Sequence, residues 1–158
     1  MKKEQITKAY SLCIRFLAPR ARSVKEINDY LAKKGFNKDV RNETIDLLLN
    51  KNLLNDKEFA YLFVESREKF RPRSKFALEY ELRQKGIQEA IIEEVLMDID
   101  EQKSAWIAVA SRIETWNIHG PDKFKKKIMN YLKNRGFSYE ISISTYSQCC
   151  SSLQCKEL

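Results

Sequence analysis

The segment RARSVKEINDYLAKKGF, residues 20 to 36, lies without gaps over RPRSKFALEYELRQKGI, residues 71 to 87. The two share Arg20/Arg71, Arg22/Arg73, Ser23/Ser74, Leu31/Leu82, Lys34/Lys85 and Gly35/Gly86. A third copy, GPDKFKKKIMNYLKNRGF at 120 to 137, keeps Ile128, Leu132 and Gly136 in the matching places. Only 4 glycines and 3 prolines occur in the 158 residues, and they fall in register. Gly35, Gly86 and Gly136, and likewise Pro19, Pro72 and Pro121, recur about every 50 residues. A fixed period of that length marks stacked supersecondary units that bury their apolar faces against one another.

Within each period the apolar residues return at helical spacing instead of alternating. The expected fold is therefore all-α, an elongated, curved array of three tandem three-helix repeats over residues 1–52, 53–100 and 101–146. In the first repeat Ile6, Ala9, Tyr10, Cys13 and Leu17 line a helix that Pro19 ends. Ser23 and Glu26 form a capping box for the second helix, Gly35 closes it, and Val40, Thr44, Leu47 and Leu48 mark the third. The second repeat opens on the cap pair Asn55 and Glu58, followed by Phe59, Leu62, Phe63, Ser66 and Phe70. Pro72 breaks that helix, Ser74 caps the next, Gly86 ends it, and Ile91, Ile92, Val95, Leu96 and Ile99 line the third. In the third repeat Trp106, Val109, Ala110, Ile113 and Asn117 share one helix before a break at His119-Gly120-Pro121, and Phe124, Ile128 and Leu132 follow. Beyond Gly136 the chain turns rich in Ser, Thr and β-branched residues, which form helices poorly. The pattern supports eight helices, leaves a ninth unsupported, and predicts a disordered Cys/Ser-rich tail over residues 147–158.

Lys plus Arg number 29 against 22 Asp plus Glu, a net charge of +7, and the excess is uneven along the chain. Arg20, Arg22, Lys25, Lys33 and Lys34 face only Glu26 and Asp29 between residues 18 and 36. Arg67, Lys69, Arg71, Arg73, Lys75, Arg83 and Lys85 outnumber Glu68, Glu79 and Glu81. Lys123, Lys125, Lys126, Lys127, Lys133 and Arg135 meet only Asp122. Positive charge thus returns at the second helix of every repeat and the turn before it, where a regular stack would align it as one stripe suited to phosphate. Residues 86 to 104 are acidic by contrast, either a solvated face or a dock for a basic partner.

Several classes are excluded. No apolar run approaches the ~18 residues of a membrane span, and the start MKKEQITKAYSL lacks a secretory apolar core, which points to the cytoplasm. Neither a phosphate-cradling glycine loop nor a dinucleotide fingerprint is present. With one histidine, His119, set in a Gly-Pro break, no Ser-His-Asp relay and no zinc site can be written. Cys149, Cys150 and Cys155 make a poor tetrahedral set, and Cys13 reads as a small core residue. Trp106 and Trp116 suit packing better than base stacking. The expectation is a binding protein, not an enzyme, without cofactor or metal.

The run LLNDKEFAYLFVESR (53 to 67), then ELRQKGI (81 to 87) with Ile91, Ile92 and Val95, together with RARSVKEINDYLAKKGF, resembles the RecX regulatory proteins over about residues 5 to 141. The resemblance implies a bacterial regulator that binds the RecA recombinase filament along its groove, contacts single- and double-stranded DNA, and restrains filament growth, ATP hydrolysis and strand exchange. A monomer is expected. The family's last helix should follow Gly136-Phe137-Ser138-Tyr139-Glu140, where this chain drifts into Ser and Cys, so the third repeat is expected to be incomplete. Without a recombinase, the same basic array would read as a general DNA-binding protein, or as a scaffold for an acidic one.

Overall fold

The computed structural model describes residues 1–157, with side chains through residue 154. Among the described residues it is entirely helical: α1 Lys2–Leu17, α2 Val24–Lys33, α3 Lys38–Asn50, α4 Asp56–Phe70, α5 Lys75–Gln84, α6 Glu89–Leu96, α7 Glu101–Ala110, α8 Ile113–Asn117, α9 Pro121–Asn134 and α10 Tyr139–Glu157. The helices gather into two compact units, one of Met1–Phe63 with Glu81–Val95, the other of Val64–Tyr80 with the chain from Leu96 on. These units cut across the sequence repeats, because α4 and α5 each contribute to both.

Helix starts follow local polar chemistry. Orphan amides at an N-terminus need acceptors, and short polar side chains supply them. Ser23 and Glu26 form the full capping box of α2, and Asn37 accepts the Val40 amide of α3. Asn55 accepts from Glu58, Ser74 from Ala77 and Asp100 from Lys103. Apolar stripes then pair the helices. In the first unit α1 and α2 pack on α3 around Ala9, Cys13, Ile27, Leu31, Val40, Ile45 and Leu48. In the second, α7, α9 and α10 enclose Ala105, Val109, Phe124, Ile128, Leu132 and Cys149.

Two sequence expectations are corrected here. The first helix of the third repeat is not continuous: α7 stops at Ala110 and α8 begins at Ile113, although no glycine or proline lies between them. The break carries Trp116 edge-on to Tyr131, with ring centroids 5.3 Å apart. The tail expected to be disordered from residue 147 is instead helical through Glu157, and the third repeat has its last helix. Propensity loses to packing. Ser142, Thr145 and Cys149 are buried in step with Ile141, Tyr146 and Leu153 at helical spacing against the rest of this unit's core. The Thr145 hydroxyl donates to the Ile141 carbonyl at 2.8 Å and accepts from the Gln102 amide at 3.0 Å, so burial leaves it paired. Residue 158, where that expected tail ends, lies outside the described residues.

Gly86 and Gly136 close α5 and α9 with φ of +77° and +89°. A Cβ on Gly86 would meet Lys25 Cβ at 2.7 Å, and one on Gly136 would meet Ser74 Oγ at 2.5 Å and Ala77 Cβ at 2.9 Å. In each unit, then, the end of one second helix seats against the start of another. At Gly35, φ +90°, an added Cβ meets nothing within 4 Å. Gly35→Ala is therefore expected to cost about 1 kcal/mol of unfolding free energy, from backbone strain alone. Gly136→Ala is expected to cost about 2–4 kcal/mol, since rigid neighbours must also move. Urea unfolding of both variants checks the difference, and equal losses would contradict the close contact.

Candidate nucleic-acid interface

In the first unit, three predicted cations converge on one carboxylate. The Glu26 carboxylate, at the third position of α2, accepts hydrogen bonds from two residues and is ion-paired with two further cations. Its oxygens take the Ser23 amide at 3.3 Å and the Arg20 guanidinium at 2.7 Å, with Arg22 at 3.9 Å and Lys85 Nζ at 3.7 Å. One negative charge thus holds three positive ones, and the cluster keeps a net positive sign. Arg22 also lies over the Phe16 ring, 3.9 Å from its centroid, and donates to the Phe16 carbonyl at 3.2 Å. Phe16 stacks in turn on Tyr30 at 4.1 Å, with Lys34 Nζ 5.6 Å from the Tyr30 ring. Lys25 reaches the Gln84 carbonyl at 3.1 Å, on the end of α5 that carries Gly86. Arg83 makes two hydrogen bonds to Glu89, at 2.6 and 3.1 Å. Lys33 is exposed in the last turn of α2. Arg20, Arg22, Arg83 and Lys85 therefore have carboxylate partners within the fold, which the charge pattern alone does not reveal.

The second unit collects the rest. Arg67, Lys69, Arg71, Arg73 and Lys75 surround the turn from α4 to α5, and the Ser74 amide donates to the Arg135 carbonyl at 3.2 Å. That bond sets the turn beside the end of α9, where Lys133 and Arg135 lie. Lys123, Lys125, Lys126, Lys127 and Lys133 are exposed on α9. Lys125, Lys126 and Lys133 also border an open groove of about 870 Å³ that includes Met129, Phe137 and Tyr139. Arg112, which the charge count passes over, completes a ladder of cations on rings. It lies 4.8 Å from the Tyr131 centroid and 5.7 Å from that of Trp116, while Arg135 lies 4.7 Å from Tyr131 and donates to its hydroxyl at 2.8 Å. Its signal in the sequence is the spacing of Arg112 with Trp116 and Tyr131 with Arg135, four residues apart in each case.

No group among the described residues could hold a metal ion. Burial pushes the Cys13 and Cys149 thiols up to about 11, Cys149 also feeling Cys150, so both stay protonated near neutral pH and fill core space. The carboxylates around the start of α2 are shifted in opposite directions. Burial raises Asp56, which accepts the Val24 amide at 2.8 Å and lies near the charge of Glu26. Burial also opposes ionisation of Glu26. The Arg20 hydrogen bond, the Ser23 amide and the charges of Lys85 and Arg20 together outweigh it, and the pKa falls below its ordinary 4.5. A carboxylate that ionises more readily folded than unfolded contributes fully above 4.5 and loses that contribution as pH falls through the lower folded value. Glu26→Gln is therefore expected to lower unfolding free energy at neutral pH by about 1–2 kcal/mol. The gap between variant and wild type should close as urea unfolding is repeated below pH 4.5; a gap independent of pH would contradict the charge assignment.

Comparison with known proteins agrees with this architecture. The family model "RecX, first three-helix domain" matches residues 9–48, and "RecX, second three-helix domain" matches residues 55–96. The chain is 39% identical over 131 residues to the regulatory protein RecX of Chlorobium phaeobacteroides (strain BS1), covering 82% of this chain and 85% of the relative. It is 33% identical to the regulatory protein RecX of Mycobacterium avium (strain 104), over 85% of this chain and 80% of that one. A crystal structure of RecX from Lactobacillus salivarius shares the fold with a TM-score of 0.77 at 23% identity, over 93% of this chain and 97% of the other. Two matched three-helix domains and this extent of shared sequence lead to one conclusion: the chain belongs to the RecX family of regulatory proteins.

Proposed function

We propose that this protein is a non-enzymatic regulator that binds a RecA-type recombinase filament together with DNA, and thereby restrains filament extension, ATP hydrolysis and strand exchange. Membership of a family of regulatory proteins supports the reading. The observation that carries it is α9, where Lys123, Lys125, Lys126 and Lys127 crowd five residues of an exposed helix that has only Asp122 as an acidic neighbour in its sequence. Such a concentration of like charge destabilises a free helix and is retained where a polyanion relieves it. In this reading the basic segments bind polyanion, and binding across successive protomers blocks their addition. The protein acts as a monomer in the cytoplasm; no helix among the described residues is long and apolar enough to cross a membrane.

Added to its cognate recombinase on single-stranded DNA, the protein is expected to lower the rate of ATP hydrolysis. Unchanged hydrolysis and strand exchange with protein in excess would contradict the proposal. High affinity for bare DNA that recombinase does not enhance would favour a general DNA-binding role instead. Reversing Lys125, Lys126 and Lys127 to Glu is expected to weaken binding and to flatten the log–log salt slope by roughly 2 to 3, the counterions of three phosphate contacts. Reversing Glu93 and Asp98 to Lys should weaken nothing, with helical circular dichroism confirming that both variants fold.

A further inference from the structure

The turn between α4 and α5 presents aromatic rings to solvent. Phe70 is 72% exposed, Phe76 74% and Tyr80 62%. A lone exposed apolar residue is ordinary, but three aromatic ones within residues 70 to 80 are not. Packing does not require them. The positions that align with Phe76 and Tyr80 are Lys25 and Asp29 in the first repeat and Lys126 and Asn130 in the third, all polar and exposed. Phe76 and Tyr80 stand one turn apart on α5, so their side chains share a face. The cations are interleaved with them: Lys69, Arg71, Arg73 and Lys75 occupy a stretch without an acidic residue, and Lys69 Nζ lies 5.4 Å from the Phe70 ring centroid.

From this arrangement we infer that the α4–α5 turn is a stacking platform for the unpaired bases of single-stranded nucleic acid, with Phe76 and Tyr80 as the principal rings. Every base offers a π face whatever its identity, and cations between the rings meet the intervening phosphates. A duplex hides those faces inside its own stack, so it engages the cations and not the rings. The cations Lys69, Arg71 and Lys75, with no acidic residue between them, favour a polyanion over a protein surface as occupant. The inference rests on reading the basic segments as a phosphate track, and adds which nucleic acid that track takes at this turn.

Fluorescence anisotropy with three probes tests it: a labelled oligothymidylate, an abasic strand of the same length and charge, and a duplex. Wild type is expected to bind the oligothymidylate roughly tenfold more tightly than the abasic strand. The double variant Phe76→Ala, Tyr80→Ala should lose that preference while its salt slope and duplex affinity stay unchanged. Phe76→Tyr with Tyr80→Phe should retain the preference. Because both side chains are exposed, the variants should keep the helical circular dichroism of wild type. Equal wild-type affinity for the base-bearing and abasic strands would overturn the platform and leave the phosphate track standing, as would a preference surviving the double alanine variant. A double variant that loses only recombinase binding would assign the rings to a protein contact and overturn the platform. Failure of wild type to bind any of the three probes would overturn the platform and the track together.

Discussion

Two glycine turns govern where the charged segments of this protein lie. Gly86 and Gly136 each end a second helix in the left-handed region, where a Cβ is disfavoured, and each lies so close to a neighbouring helix start that a Cβ would overlap it. The contact on Lys25 brings the end of α5 to the start of α2, and the contact on Ser74 brings the end of α9 to the start of α5. Since the turns before α2 and α5 are basic, and so are the last turns of α5 and α9, this close approach gathers like charge. Steric access thus precedes electrostatics: the concentrated positive charge is a consequence of where the chain can touch itself.

Gathering like charge must be offset, and the two units offset it differently. The first uses a carboxylate. Glu26 serves the capping box of α2 and three cations at once, so one residue ties helix initiation to charge balance. The second unit uses rings, with Arg112 and Arg135 lying over Tyr131 and Lys125 at 5.6 Å from Tyr146. Cation–π contacts leave the full positive charge available, whereas a carboxylate cancels part of it. On that ground α9 is better suited to meet an anion than the cluster around Glu26.

The final helix shows how much a buried face can outweigh local preference. Ser142, Thr145 and Cys149 are each poor helix formers, yet together they supply a narrow, small-residue seam that lets α10 pack closely on α7. The Thr145 hydroxyl donates back to the Ile141 carbonyl and accepts from Gln102, which offsets the cost of burying it.

What the sequence determined by itself was everything set by neighbours along the chain. The caps at Ser23, Asn55 and Ser74, the glycine endings and the apolar stripes of α1 to α6 were legible because each depends on residues within one or two turns. The basic segments were legible too, as composition. What tertiary structure decided was which of those cations are spoken for. Lys85 lies 59 residues from Glu26 in sequence and 3.7 Å from it in space, and no periodicity encodes that distance. The same holds for α10, whose helicity comes from the faces of α7 and α9 it covers, and for the edge contact of Trp116 with Tyr131 beyond the break before α8. Local chemistry chooses elements, but pairings remote along the chain are chosen only when the core closes.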